Sequence, residues 1–188
     1  MKTRSLLALA LLAPSLAAAQ QIRLNAGGTY ASPSDLSATW SQSGGEVGYH
    51  FGGDVRFGQF FTIAPGLHWQ QLGFSLKDNA GASTGISLSG IQVPVMFGVG
   101  VDLKVVDARV QAGPTVTFLT SVGSNDLLLA KSDFKSTRFG GQVGAAVDIL
   151  MVTIDLSYEY SFTQLFAVDT PYGSGKLGVA RIGLGVKF

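Results

Sequence analysis

Apolar and polar residues alternate along most of this chain with a period of two. In residues 152–162 the apolar side chains fall on even numbers and the polar side chains on odd numbers. Such a period places successive side chains on opposite faces of a β-strand. The same pattern predicts eight strands, at residues 21–30, 46–57, 61–76, 86–99, 108–119, 139–150, 152–162 and 176–188.

The composition indicates which environment these strands occupy. Only 13% of the residues are charged, glycine occurs 25 times, and the mean hydropathy is positive. Beyond the first 19 residues no apolar segment is long enough for a transmembrane helix, and lipid otherwise admits only closed barrels. We therefore predict an all-β fold, an eight-stranded antiparallel up-and-down transmembrane β-barrel. The alternative is a soluble β-sandwich or lipocalin-like barrel, which would bury the apolar faces.

The first residues have the layout of a secretory signal peptide. Lys2 and Arg4 precede an apolar run that ends in three alanines, which predicts a cut after Ala19. A membrane-anchoring helix is less consistent with the run, because Pro14 interrupts a segment that is already short. We expect residues 1–19 to be removed and residues 20–188 to form one barrel domain.

The connections between the predicted strands alternate in length. Residues 31–45, 78–85, 123–138 and 164–175 are long and polar, whereas residues 58–60, 102–107 and 150–151 are short. Outer-membrane barrels have short periplasmic turns and longer external loops. This asymmetry predicts a multi-pass barrel in the cell outer membrane with both termini in the periplasm.

Charged residues on the polar faces are balanced in sign. Five are positive and five negative: Arg23, Arg56, Arg109, Arg181 and Lys187 against Glu46, Asp54, Asp148, Asp155 and Glu159. Charges inside a narrow barrel must pair, because an isolated buried charge is unstable. We predict that these ten form an interior charge network. An eight-stranded barrel is just wide enough to be filled by side chains, and glycines on the polar faces give the long side chains room. The prediction is a plugged interior.

The apolar faces carry aromatic residues near both ends of the predicted strands. Tyr30, Tyr49, Trp69, Tyr158, Tyr160 and Phe162 fall near the external end, and Phe57, Phe61 and Phe188 near the periplasmic end. Aromatic girdles of this kind flank the lipid-facing band of outer-membrane barrels. The apolar side of each strand is therefore predicted to contact lipid. Outer-membrane lipid and lipopolysaccharide are the expected partners.

The alternation changes parity in two places. The apolar positions change from odd to even numbers beyond Gln71, and the mirror change occurs near Gly90. A shift of one residue reverses the face of all later residues in a strand. We predict either a β-bulge or the end of the membrane zone at both places.

Several strings resemble the PorT-like family of outer-membrane β-barrels, also known as the porin family. They are "GYHFGGDVRFG", "FTIAPGLHWQQLGFSLK", "LSGIQVPVMFGVGV", "VQAGPTVTFL", "FGGQVGAAVDI", "IDLSYEYSFTQLF" and the terminal "IGLGVKF". The resemblance covers the mature chain and implies a small, eight-stranded barrel in a Gram-negative outer membrane. It carries over no functional residue. The last strand, with Ile182, Leu184, Val186 and Phe188, also resembles the C-terminal signal that the outer-membrane assembly machinery recognises.

The candidates for catalysis are few. His50 and His68 lie on polar faces of adjacent predicted strands, where Glu46, Ser75 or Ser87 could complete a Ser–His–acid arrangement. Some small barrels that modify lipid A use such groups, but nothing in this sequence identifies the nucleophile. We predict that the protein is not an enzyme and that the histidines fill the interior. Two histidines without cysteine define no metal site, and no cofactor motif occurs.

The remaining candidates lie in the long connections. Leu127, Leu128 and Leu129, and farther on Leu165, Phe166 and Tyr172, either contact a partner or lipopolysaccharide, or pack over the barrel mouth. Without Lys2 and Arg4 the formal charge falls from +1 to 11 minus 12, or −1, which gives no support for a nucleic-acid partner. We expect a monomeric barrel with a structural or interaction role. A lipid-modifying enzyme and a narrow channel are the alternatives.

Overall fold

The computed structural model describes residues 20–34, 36, 40–78, 83–103, 105–167 and 175–188, so the predicted signal peptide lies outside the described residues. Within that part of the chain eight strands form one closed barrel in chain order. They are β1 (Gln20–Ser34), β2 (Trp40–Phe57), β3 (Phe61–Asp78), β4 (Ser83–Asp102), β5 (Val106–Val122), β6 (Thr137–Ile149), β7 (Val152–Ser161) and β8 (Lys176–Lys187). The prediction of an eight-stranded antiparallel up-and-down barrel is confirmed.

Every neighbouring pair of strands is antiparallel, and β1 closes the barrel against β8. The closing register runs from Arg23 opposite Lys187 to Ser34 opposite Lys176. Closure leaves no unpaired sheet edge, which satisfies the backbone groups all round the wall. No helix in the described residues is long and apolar enough to cross a membrane.

The two ends of the barrel differ. We call the end where β2 is followed by β3, β4 by β5 and β6 by β7 the turn end, and the opposite end the loop end. The strands β1 and β2 are longer at the loop end than the alternation predicted, because β1 continues to Ser34 and β2 begins at Trp40. The wall of the barrel therefore rises higher at β2 to β5 than at β6 and β7, which end at Thr137 and Ser161.

The parity change in β3 and β4 marks a boundary between two zones, and the two strands pair across it without any register shift. Gln71 lies opposite Ser89 and Leu72 opposite Leu88. Even-numbered residues of both strands stay inside throughout, so the faces do not change. What changes is which face is apolar.

Below the boundary the barrel is apolar outside and polar inside. The outward side chains of β4 from Ile91 to Val101 belong to this zone, which we call the apolar belt, and Gln92 is buried inside it. Above the boundary Ser83 and Lys77 face outward, while Phe74 and Ile86 are fully buried inside. At the loop end, polar side chains therefore lie outside and apolar side chains inside, which is the distribution of a water-soluble barrel.

The interior of the loop end is filled by one apolar cluster, which we call the apolar cap. Its buried members are Ala31, Leu72, Phe74, Leu76, Ile86, Leu88, Leu119, Leu129, Phe134, Leu165, Phe166, Leu177 and Val179. Phe134 and Phe166 form an isolated bridge between the two connections that flank β6 and β7. The described parts of these two connections cover the loop end of the barrel beside β6 and β7, which are the shorter strands there.

Bulges do occur near Gln71 and Gly90, but the extra residues lie in β2 and β5, so they do not cause the parity change in β3 and β4. Glu46 lies opposite Gly73 and Tyr49 opposite Gln71, so β2 has one residue more than β3 in this interval. In the same way β5 has an extra residue opposite Ser89 and Gly90. An extra residue of this kind reverses the face of the residues beyond it, and in β2 those residues include Glu46.

Candidate functional site

Most inward charges of the barrel gather in three groups, of which the first lies at the turn end. Asp107 and Asp148 are direct cross-strand partners, and like charges placed opposite each other repel. Three cations offset this repulsion, of which Arg109 lies on β5 itself, Arg56 on β2 and Lys187 on β8. Asp148 accepts from Arg109 Nη1 at 2.6 Å and from Lys187 Nζ at 3.3 Å, and Asp107 accepts from Arg56 Nη2 at 2.6 Å. We call these five residues the turn-end cluster.

The second group is a cross-strand pair on β1 and β2. Arg23 and Asp54 are opposite each other in the register. The Nε and Nη2 atoms of Arg23 both donate to Asp54 Oδ2, at 2.9 and 2.6 Å. Both side chains are buried, so the ion pair is desolvated and depends on this geometry.

The third group surrounds Glu159 at mid-barrel. Its Oε2 atom accepts from Arg181 Nη2 at 2.5 Å and from Gln92 Nε2 at 2.8 Å, and its Oε1 atom accepts from Thr115 at 3.0 Å. Arg181 Nη2 also donates to Gln70 Oε1 at 2.6 Å. These residues, which we call the mid-barrel cluster, join β3, β4, β5, β7 and β8 across the lumen.

Nine of the ten predicted network residues face inward, and one does not. The exception is Glu46, which is exposed and accepts from Ser75 Oγ at 2.7 Å on the outer surface of the loop end. The extra residue in β2 turns Glu46 outward, because its partner Gly73 lies on the outer face. The prediction for Glu46 was wrong for this reason. Asp155 is inside and buried, but it forms no ion pair among the described residues.

Two interior charges were missed from the sequence. Asp107 precedes Arg109 by two positions and so shares its face. Arg138 lies one residue before the predicted segment 139–150 and, like Gln142, has an even number and faces inward. Extending both segments by a residue would have found them. With Glu46 removed and these two added, the described interior holds six cations, Arg23, Arg56, Arg109, Arg138, Arg181 and Lys187, against five anions, Asp54, Asp107, Asp148, Asp155 and Glu159.

The position of Glu46 leads to a prediction. We expect Glu46→Gln to change the free energy of unfolding by no more than about 0.5 kcal/mol, because exposed side chains outside special contacts have small effects. Asp54→Asn, which leaves Arg23 buried without its counterion, should destabilise the barrel by several times as much. Urea unfolding of both variants in lipid vesicles measures the difference. Equal losses would contradict the outward placement of Glu46.

The two histidines are neighbours inside the barrel. Their ring centroids lie 6.4 Å apart, and both side chains are buried. Ser75 and Glu46 are bonded to each other on the outer surface, and Ser87 accepts from Gln71 Nε2 at 2.8 Å. Within the described residues no hydrogen bond joins either histidine to a serine or a carboxylate. The Ser–His–acid arrangement considered from the sequence is therefore not assembled, and the described side chains form no metal-binding group.

Glycines leave room for the inward charges, as Gly183 illustrates. A Cβ atom at Gly183 would lie 2.8 Å from Asp155 Oδ2, which is closer than real Cβ contacts come. A Cβ at Gly52 would lie 2.7 Å from His68 Nδ1. Both glycines sit opposite these residues in the register, so the small residue and its large partner share one cross-section of the lumen.

The apolar residues of the long connections divide between the two predicted roles. Leu129, Leu165 and Phe166 are buried in the apolar cap, and Leu127 packs against it. Leu128 is 89% exposed. Tyr172 lies outside the described residues. Packing over the mouth therefore accounts for most of this set.

A closed barrel with an apolar outer belt and paired charges inside defines the class of transmembrane β-barrels. The chain belongs to the family of outer membrane protein beta-barrel domains, which it matches over residues 18–167. It is an eight-stranded barrel of the outer membrane. The narrower resemblance to PorT-like proteins stays a prediction.

Solved structures agree with this fold. OprG from Pseudomonas aeruginosa is similar with a TM-score of 0.55 and 11% identity, over 90% of this chain and 96% of that one. Neisserial surface protein A (NspA) is similar with a TM-score of 0.50 and 19% identity, over 89% and 97%. At these identities the likeness shows the fold alone. The comparison with curated proteins found no match.

Proposed function

We propose that this protein is a monomeric, non-conducting outer-membrane barrel with a structural and interaction role, which its loop end carries out. The observation that carries the proposal is the filling of the lumen. The turn-end cluster, the mid-barrel cluster and the apolar cap succeed one another along the axis. The polar space between the two charged clusters offers about 30 Å³ to the centres of water-sized molecules, room for about two waters. Among the described residues this filling leaves little room for a continuous aqueous path, which supports the non-conducting role.

The proposed orientation places the turn end in the periplasm. Both described chain ends lie at the turn end, since Gln20 is opposite Phe57, and Phe188 is bonded to Ile22. Outer-membrane barrels keep short turns on that side. Ile182, Leu184, Val186 and Phe188 all face outward and are exposed, which suits the proposed recognition of β8 by the assembly machinery.

Lipid, including lipopolysaccharide, is the proposed partner of the belt and of its upper rim. Tyr49 packs against Trp69 with ring centroids 5.5 Å apart, and Lys176 Nζ lies 5.8 Å from the centre of the Tyr160 ring. A cation beside an aromatic residue at the rim suits the anionic headgroups of that leaflet.

Planar-bilayer recording tests the non-conducting role. We expect purified, folded protein to give a silent bilayer, with heat-modifiable gel migration as the control that the barrel is folded. Regular current steps from the folded protein would contradict the proposal and favour the channel.

Mass spectrometry of lipid A tests the enzyme alternative. Lipid A from cells that produce the wild type should equal that from cells that produce a His50→Phe, His68→Phe variant, and that from cells without the gene. An acyl chain lost or gained only with the wild type would establish catalysis and overturn the structural role.

A further inference from the structure

A small polar chamber lies inside the belt between the turn-end and mid-barrel clusters. Arg23 and Asp54 line it on one side, Arg181 and Gln92 border it toward mid-barrel, and Asp155 also lines it. About 30 Å³ of it is open to the centres of water-sized molecules. A single water needs roughly 10–15 Å³ measured in this way, so the space exceeds one water.

Several buried polar atoms at the chamber have no partner in the described part of the chain. They are Arg23 Nη1, Asn25 Oδ1, His50 Nδ1, and Arg181 Nε and Nη1. Each of these four side chains is at least nine-tenths buried, with exposures of 8%, 8%, 3% and 5%. A buried polar atom without a hydrogen bond destabilises a fold, so four such side chains around one space indicate that a polar molecule occupies it.

Asp155 adds an independent reason. Its carboxylate is 7% exposed, and its hydrogen bond in the described structure is a long one from Asn25 Nδ2 to Oδ2 at 3.4 Å. The other buried acids of the belt each have a cation within 2.6 Å. A buried carboxylate without such a contact requires other donors.

The chemistry of the lining decides between possible occupants. Two arginines face two aspartates, so the chamber is formally neutral when both histidines are neutral, and it presents donors and acceptors together. An anion would lie against Asp155, and the described side chains form no metal-binding group. Water, which both donates and accepts, satisfies such a mixed set.

We propose that the chamber binds about two ordered water molecules, which bridge Asp155 to Arg23 and Arg181 and complete the interior network. The ion pairs of Arg23 with Asp54 and of Arg181 with Glu159 are thereby linked into one hydrogen-bonded chain across the belt. The chamber is wet, whereas the apolar cap above it is dry. This inference does not depend on the role of the loop end.

Methyl groups in the chamber and in the apolar cap provide the test. Ala64 and Met96 line the chamber, and Leu88 lies in the apolar cap. In perdeuterated, methyl-labelled protein folded in micelles, we expect NOESY and ROESY cross-peaks from water to Ala64 and Met96, and none to Leu88. No cross-peak at Ala64 and Met96, or equal cross-peaks at all three, would overturn the proposal.

A matched pair of variants sharpens the result. Ala64→Val adds two carbons to the chamber wall and should reduce the water cross-peak of Met96 by about half or more. Ala146→Val changes another buried inward alanine that does not line the chamber, and it should leave that cross-peak unchanged. Crystals grown in bromide provide the last arm, because an anomalous peak in the chamber would show an anion there and contradict the assignment of water.

Discussion

Replacing Arg181 by methionine should lower the free energy of unfolding by about 3–5 kcal/mol. The side chain bonds Glu159 at 2.5 Å and Gln70 at 2.6 Å at mid-barrel. Methionine keeps much of the length of arginine but leaves Glu159 as a buried charge without its counterion, and a broken buried pair is destabilising by this amount. Urea unfolding in lipid vesicles, followed by tryptophan fluorescence, measures the loss.

The double variant Arg181→Met, Glu159→Gln serves as the control for this prediction. Removing both charges leaves no uncompensated ion, so the double variant should be more stable than Arg181→Met alone. Two results would show that the pair is not coupled in the folded barrel. One is a loss of less than about 1 kcal/mol for Arg181→Met, and the other is a loss for the double variant equal to the sum of the losses for Arg181→Met and Glu159→Gln.

Replacing Leu156 by arginine should destabilise the barrel in lipid by about 2–4 kcal/mol. Leu156 lies midway along β7, faces outward and is 58% exposed. An arginine on the lipid face of a barrel has this effect at the centre of the bilayer and much less toward its surfaces. Unfolding of the variant in vesicles gives the value.

Ser83→Arg provides the matched control. Ser83 is also outward and exposed, but it belongs to the loop end, where the outer face is polar. We expect its substitution to change stability by no more than about 0.5 kcal/mol. Similar losses at Leu156 and Ser83 would contradict the division of the outer wall into two zones.

The strands and their faces could be predicted because alternation is a local property. The pattern in residues 152–162 is the pattern seen in β7, with Leu156 outward and Asp155 inward. Which charge meets which could not be predicted, since it depends on the register of the closed barrel. Arg23 lies beside Asp54 on the next strand, whereas Arg181 reaches Glu159 on β7 and Gln70 on β3.

Glu46 and the parity change show where local reasoning fails. A bulge in β2 reverses the face of Glu46. Gly48 lies in that interval and glycine can mark a bulge, but β2 also contains Gly44, Gly45, Gly52 and Gly53, so glycine alone does not identify the position. The parity change beyond Gln71 was visible, but it had two interpretations. The uninterrupted pairing of β3 with β4 shows that the barrel continues past the belt with its apolar face turned inward, so that Leu72 and Phe74 help to form the cap.

We expect the outer wall to change from lipid-facing to water-facing along one continuous strand, between Ser89 and Ile91 of β4. The chain contains no cysteine, so single cysteines at Ser83, Ser87, Val95 and Phe97 can each carry a spin label in the barrel folded into vesicles. We expect labels at Val95 and Phe97 to collide mainly with oxygen dissolved in the lipid. Labels at Ser83 and Ser87 should collide mainly with a water-soluble nickel chelate. Equal accessibility to the nickel chelate at all four positions would contradict this expectation.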